Sequence, residues 1–237
     1  MSPIPGCDVR VVQPGDDAVE PVPWGEEGEL VCAGPNVMLG YHNLPEADAE
    51  VFATCPRTGK RFFRTGDLAR CVDSPNVGGG GAVRITGRVK ELYKLANGKY
   101  IVPGPIENAI QMSAYISQAM VVGEGQQYNG VLVFPDYAAI ARDVLERTDI
   151  PPTAVAADVG AEERVAMARS DKVRDFVLEE VQHYADKHGV RSFEVPRKVT
   201  LITEELSTAN GLLTPKMSMK RNLIADKYSE QLSELFQ

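Results

Sequence analysis

The texture of the chain changes at Lys90, and that change limits the folds open to it. Before Lys90 the sequence is short apolar runs broken by glycine and proline. "GELVCAG" (Gly28 to Gly34) and "AVRITGR" (Ala82 to Arg88) have strand length and β-prone content. "PEADAEVF" (Pro45 to Phe52) predicts a short helix, with proline in its first turn and acids near its positive end. "RFFRTGDLAR" (Arg61 to Arg70) predicts strand, turn, strand, and "SPNVGGGG" (Ser74 to Gly81) a hairpin tip tolerant of insertion. After Lys90, strand patterns alternate with helix patterns. "ELYKL" and "KYIV" predict two short strands around the turn "ANG", and "PGPIENAIQMSA" a helix carrying Glu107 in its first turns. "ISQAMVVG", "GVLVFP" and "VPRKVTLI" predict strands, and "DYAAIARDVLER" a helix. Over Asp171 to His188, the residues Val173, Phe176, Val177, Val181 and Tyr184 recur at helical steps and predict one buried face. A loop and helical insert are expected over 151–168, and a final amphipathic helix over Asn222 to Phe236. The fold class is α+β: a small, mostly β subdomain over 1–89, then a small α+β domain over 90–237.

Composition narrows the function classes. A formal net charge of -8, with no basic stripe, disfavours nucleic acid as a partner but leaves room for one local anion site. The four cysteines, Cys7, Cys32, Cys55 and Cys71, lack CxxC spacing, and only three histidines occur, so no metal site is expected and free thiols are. No GxSxG appears. No apolar run reaches the roughly 18 residues of a membrane span, so no transmembrane segment is expected and membrane association would be peripheral. The N-terminus lacks a secretory pattern, and "SELFQ" matches neither an ER-retention nor a peroxisomal signal. An intracellular protein is expected, cytoplasmic or associated with an organelle or membrane.

Four stretches carry candidate chemistry. In "FRTGDLA", a turn carboxylate at Asp67 could accept both hydroxyls of a ribose diol, or could cap its own turn. In "ITGRVKELYKLANGKYIVPGPIE", Arg88 could pair with a phosphate or ribose oxygen, or stand as a surface arginine. Lys90, where the textures meet, is a candidate hinge or a solvated lysine, and Gly98 a hairpin glycine that could let a ligand approach the backbone. In "NGLLTPKMSMKR", Lys216 and Lys220 lie in a turn-rich loop before the last helix.

Taken in order, "GPNVMLGYHNLPEADAEVF", "FFRTGDLA", "ITGRVKELYKLANGKYIVPGPIENAI" and "NGLLTPKMSMKR" resemble the C-terminal portion of the adenylate-forming superfamily, and within it the long-chain fatty acyl-CoA synthetases. The resemblance covers nearly the whole chain. It implies a two-step reaction in which a fatty acid attacks the α-phosphorus of ATP to give an acyl-adenylate, the small domain rotates, and coenzyme A thiol attacks. It further implies that Asp67 and Arg88 contact the nucleotide, that Lys90 is the hinge, and that Gly98 lines the pantetheine channel. Lys216 falls where most members carry the catalytic lysine. Lys220, the alternative, resembles part of a later basic pair with Arg221, and the usual lysine of the long-chain branch would fall at Ser218.

The phosphate loop and the glutamate that holds Mg2+ in the family lie upstream of the matching region and do not occur here. The chain therefore reads as a fragment, the end of the large domain plus the whole small domain, inactive alone. Its substrates as part of a full-length enzyme would be a fatty acid, ATP and coenzyme A. A fatty acyl-AMP ligase that passes its acyl group to a carrier protein shares the same motifs, and a non-catalytic module binding nucleotide or a partner is the reading from a different class.

Overall fold

The computed structural model describes residues 5–73, 81–151 and 153–237. The chain divides into two compact units, Met1–Leu92 and Tyr93–Gln237. The division falls three residues beyond the boundary expected from sequence texture.

The first unit is a five-stranded antiparallel sheet built from β1 (Asp8–Val12), β2 (Glu27–Ala33), β3 (Phe52–Thr54), β4 (Arg61–Val72) and β5 (Ala82–Arg88), with α1 (Pro45–Val51) between β2 and β3. β4 is its axis. One edge pairs with β2 along most of its length. The other edge pairs first with β3, over residues 61–63, and then with β5, over 67–72. "RFFRTGDLAR" is thus one strand, not strand, turn, strand. The glycine read as a turn is instead a bulge: between Glu29/Leu68 and Val31/Arg64 the register gains two residues on β4, and Gly66 takes φ +70. A bulge supplies the positive φ that glycine suits while the ladder continues on both sides. The expected hairpin tip over residues 74–81 lies, apart from Gly81, outside the described residues.

A small apolar cluster of Val12, Val19, Val31, Ala33, Ala53, Cys55 and Phe62 holds this sheet. One member is chemically unusual. Cys55 opens the turn between β3 and β4, where its carbonyl accepts from Gly59 N (2.9 Å) and its N–H donates to Lys60 O (2.9 Å). The thiol is fully buried. The Thr58 hydroxyl, the backbone amides of Thr58 and Arg57, and the Arg10 guanidinium outweigh desolvation and draw its pKa down to about 7.

The second unit opens with the two-stranded ribbon β6 (Tyr93–Lys94) and β7 (Tyr100–Ile101), followed by α2 (Pro103–Ile110). A mixed sheet of order β10-β9-β8 follows, from β8 (Ile116–Val122), β9 (Gly130–Pro135) and β10 (Lys198–Leu201). β8 pairs antiparallel and β10 parallel with β9, and all six residues of β9 are buried, as for a strand covered on both faces. Between β9 and β10 run α3 (Tyr137–Asp143), α4 (Ala161–Arg169) and α5 (Asp171–Lys187). Asp136 caps α3 by accepting from the amides of Ala138 and Ala139. On α5 the fully inward positions are Val173, Val177, Val181 and Ala185, while Phe176 and Tyr184 sit half-buried on the flanks of that face. α2 packs on β8 and α5, and α5 on β10.

A buried asparagine ties the start of this unit to its end. Asn129, with no exposed surface, accepts from the Tyr93 hydroxyl (2.7 Å), donates to Glu194 O (2.8 Å), and offers its own carbonyl to Arg197 N (2.8 Å). The expected single final helix is two, α6 (Arg221–Lys227) and α7 (Ser229–Leu235), meeting at Tyr228. Tyr228 leaves helical geometry (φ -107, ψ 24) with its ring buried, so the bend lets the ring and Leu235 both reach apolar surroundings. Amphipathic periodicity continues through such a bend, which is why the sequence reads as one helix. No helix among the described residues is long and apolar enough to cross a membrane.

The Cys55 environment gives a pH dependence whose sign is fixed. The folded pKa lies below the ordinary thiol value, so the stability this group contributes is present above about pH 9 and is lost as pH falls toward about 7. Thermal melts across this window will show the wild-type protein gaining stability with rising pH relative to Cys55→Ala. Parallel curves for the two would refute the assignment.

Candidate functional site

The first unit brings two of the expected residues together. Asp67 on β4 and Arg88 on β5 are directly opposed in the ladder, and Arg88 Nη1 lies 2.6 Å from Asp67 Oδ1. The aspartate is aimed by its neighbour. The Thr65 hydroxyl donates to Leu30 O on β2 (2.7 Å) and accepts from Asp67 N (3.1 Å), so one side chain pins both sides of the Gly66 bulge. Among the described residues it is the Thr65 hydroxyl, and not the Asp67 carboxylate, that bonds across the bulge. The Arg88 side chain keeps 62% of its surface, so the pair is a solvent-facing arrangement of an acceptor and a planar donor and adds little to stability. Lys90 follows in a 3-10 turn, Val89–Glu91, directly after β5.

Beside this pair lies an ion pair that the sequence reading passed over. Glu29, 5% exposed, accepts from Arg64 Nη1 (2.9 Å), and Arg64 Nη2 donates to Asp16 O (2.8 Å) and Asp17 Oδ1 (3.0 Å). It fastens β2 and β4 on the approach to the bulge. The available signal was a carboxylate inside the strand pattern "GELVCAG", since an acid there needs a partner.

In the second unit Gly98 sits at the tip of the β6–β7 hairpin with φ +83. Leu95 and Lys99 close the turn (Leu95 N to Lys99 O, 2.9 Å), Gly98 N donates to Leu95 O (2.9 Å), and the Asn97 carboxamide accepts from Lys99 N (3.0 Å). A Cβ at Gly98 would meet only the Lys94 Cε at 3.6 Å, so glycine is required here by backbone conformation and not by crowding from described residues.

"NGLLTPKMSMKR" is an ordered hairpin. Asn210 organises its base: its carboxamide oxygen accepts from Ser207 N (3.0 Å) and Leu212 N (3.3 Å), and its amide donates to Glu204 Oε1 (2.8 Å) and Glu205 O (2.7 Å). Leu213 and Met219 form an antiparallel bridge. Beyond it Thr214 N donates to Ser218 O (2.8 Å), and Met217 N donates to Thr214 O (2.8 Å) across a turn with Pro215 and Lys216 at its centre. Met217 completes the turn at φ +63. Lys216 is exposed at this tip, with no ion pair or hydrogen bond among the described residues. Lys220 stands at the base, half-buried, its amide bonded to Leu212 O (2.9 Å) at the start of α6.

The hairpin is held from below by a second buried ion pair. Glu107 of α2, 4% exposed, accepts from Arg221 Nη1 (2.8 Å) and Nη2 (2.6 Å), and its Oε1 also takes the Val121 N–H of β8 (2.7 Å). Arg221 follows Lys220 directly, so this fork fixes where the lysine hairpin ends and α6 begins. The signal was a glutamate on the apolar face of "PIENAI". Among the described residues, no group of three or more His, Cys, Asp or Glu side chains is placed to hold a metal ion.

Glu107→Ala leaves the Val121 amide unsatisfied and strips the Arg221 guanidinium of its bidentate partner. We expect a loss of about 3–5 kcal/mol in urea unfolding of the second unit. A loss below ~1 kcal/mol would show that the pair is not holding the hairpin base.

Residues 91–169 match the family model described as AMP-binding enzyme C-terminal domain. Long-chain-fatty-acid–CoA ligase 1 of Cavia porcellus is 33% identical over 211 residues, which cover 89% of this chain and 27% of that protein. Long chain acyl-CoA synthetase 7, peroxisomal, of Arabidopsis thaliana is 29% identical over 241 residues, 99% of this chain and 31% of that protein. The fold is shared with the A domain of carboxylic acid reductase from Segniliparus rugosus, a structure in complex with AMP and a co-purified carboxylic acid, at a TM-score of 0.69 and 23% identity over 98% of this chain and 32% of that one. The chain thus spans 27% and 31% of the two curated relatives. Over residues 91–169 the chain matches an AMP-binding enzyme C-terminal domain, it is similar in sequence to one portion of the long-chain acyl-CoA synthetases, and it shares its fold with part of the A domain of a carboxylic acid reductase.

Proposed function

We propose that this chain serves as the C-terminal part of a long-chain fatty acid–CoA ligase, which activates a fatty acid with ATP and transfers it to coenzyme A. The observation that carries the reading is the lysine hairpin. Lys216 is an ammonium with no partner among the described residues, presented at the tip of a hydrogen-bonded turn whose base is fixed by Asn210 and by the Glu107–Arg221 fork. Adenylation brings a carboxylate against an α-phosphate, so repulsion between two anions peaks near the transition state, and a preorganised cation there lowers the barrier. Lys216 fits that role. Lys220, the alternative, stands half-buried at the hairpin base and not at its tip.

The other residues take roles consistent with their settings. Asp67 accepts the ribose hydroxyls, and Arg88, largely exposed beside it, exchanges its contact with Asp67 for nucleotide oxygens. Lys90, in the short 3-10 turn before the division between the units, acts as the hinge. Gly98 lets the pantetheine arm of coenzyme A pass close to the backbone. Mg2+ would accompany ATP as the counterion of its phosphates, and the resemblance puts the glutamate that holds it upstream of the matching region. With no phosphate-binding loop in the sequence, a polypeptide of these residues alone lacks most of the electrostatics that position the triphosphate.

Two experiments test this. In a full-length enzyme bearing this segment, Lys216→Ala should slow acyl-adenylate formation on the order of 10²–10³-fold, with Lys220→Ala far milder; unchanged adenylation in Lys216→Ala would reject the assignment. The 237-residue polypeptide incubated with palmitate, ATP and coenzyme A should give no product above background, and robust palmitoyl-CoA formation would overturn the fragment reading.

A further inference from the structure

The lysine hairpin is tied to one strand at both of its feet. Its exit reaches β8 through Glu107, whose carboxylate holds both Arg221 and the Val121 amide. Its entry reaches β8 through Gln118. The Gln118 carboxamide accepts from Leu206 N (2.7 Å) and donates to Leu206 O (2.8 Å). One side chain thus answers both backbone groups of a residue 88 positions further along the chain, as a paired strand would. β8 is irregular at this point. Ile116 pairs with Pro135 and Gln118 with Phe134, so Ser117 is an extra residue on β8. A bulge of this kind bends its strand and re-aims the side chains beside it.

From Leu206 a short run of hydrogen bonds leads to Lys216. The next residue, Ser207, donates its N–H to the Asn210 carboxamide oxygen (3.0 Å), and its carbonyl accepts from Leu212 N (3.1 Å) and Leu213 N (3.0 Å). Leu213 is half of the bridge with Met219 that closes the hairpin, and Lys216 lies three residues beyond it. Leu206, Leu212 and Leu213 are all buried. Apolar burial holds these leucines at depth but is non-directional, so it does not choose their register along β8. The paired bonds to Gln118 do choose it. A one-residue slip of Leu206 would break both bonds at once and carry the turn, with Lys216, along with it.

We propose that Gln118 is a positioning residue for adenylation: it sets the register of the hairpin entry on β8 and, through it, the place of the Lys216 ammonium. The inference rests on the assignment of Lys216 under the proposed function. Gln118 acts through the lysine and touches no reacting atom itself. Its effect is therefore confined to the step in which a cation must meet two converging anions. The second step, acyl transfer from the adenylate to a thiol, brings no carboxylate against a phosphate and does not call on Lys216. A displacement of about 1 Å at a reacting centre, caused from a distance, costs up to ~100-fold in rate.

The test uses a full-length enzyme bearing this segment and reads the two half-reactions separately in single turnovers. Gln118→Ala should slow acyl-adenylate formation about 10–100-fold at saturating ATP and fatty acid, and leave transfer from preformed acyl-adenylate to coenzyme A within about threefold of wild type. In a Lys216→Ala background the same substitution should slow adenylation no further, because a residue acting through the lysine has nothing left to place. Gln118→Glu keeps an acceptor for Leu206 N and loses the donor to Leu206 O, so its adenylation rate should fall between wild type and Gln118→Ala. Circular dichroism checks the fold, and if Gln118→Ala does not fold, Gln118→Glu carries the same readouts. Three results overturn the proposal and leave the Lys216 assignment standing: adenylation within about threefold of wild type in both variants, an equal loss in both half-reactions, or an undiminished further loss in the Lys216→Ala background. Unchanged adenylation in Lys216→Ala alone removes the assignment itself, and the proposal with it.

Discussion

The Glu107 carboxylate is the interaction on which the second unit turns. Its two oxygens reach three donors on two other elements: the edge amide of Val121 on β8 and both terminal nitrogens of Arg221 at the start of α6. A buried carboxylate is costly unless its lone pairs are filled, and here they are. The arrangement joins α2, the outer edge of the sheet and the end of the lysine hairpin through one side chain. The position of Lys216 is therefore set by a residue more than a hundred positions away in sequence. The first unit repeats the device at smaller scale, with Glu29 and Arg64 fixing β2 against β4 beside the Gly66 bulge that presents Asp67.

Much of this architecture was legible because local chemistry decided it. The β6–β7 ribbon follows from a tight Asn-Gly turn between short β-prone runs, α5 from apolar and aromatic residues at helical steps, of which Val173, Val177 and Val181 face inward, and α1 from its leading proline. β4 was misread because glycine and a following aspartate signal a turn locally. Whether such a glycine ends a strand or bulges within it depends on what pairs alongside, and here β3 and β5 share one edge of β4 on either side of it. The bend at Tyr228 was equally invisible, since the apolar period runs through it.

The candidate site divides in the same way. Asp67, Arg88, Gly98 and Lys216 stood out through motif order, which is a property of the linear chain. The groups that aim them did not: Thr65 pins the bulge, Asn210 organises the hairpin base, and Glu107 receives Arg221. Each of these acts through a hydrogen bond to a backbone atom or side chain whose position follows only from the completed fold. A threonine or asparagine in a polar loop carries no mark of that duty. The order of the motifs is thus informative about what the chain does, and the buried polar contacts about how it holds the pieces that do it.

Asn129 governs where this chain can be divided. Its side chain joins Tyr93, the first residue of the second unit, to Glu194, and its backbone carbonyl takes Arg197 just before β10. Asn129 has no exposed surface in the intact chain, so its carboxamide is answered there by protein groups. A polypeptide begun even one residue past Tyr93 would enclose an unanswered carboxamide oxygen and lose the tether on its own first strand. One begun at Leu92 or earlier keeps both. The first residue of the second unit is thus held to its interior by the reach of one tyrosine hydroxyl.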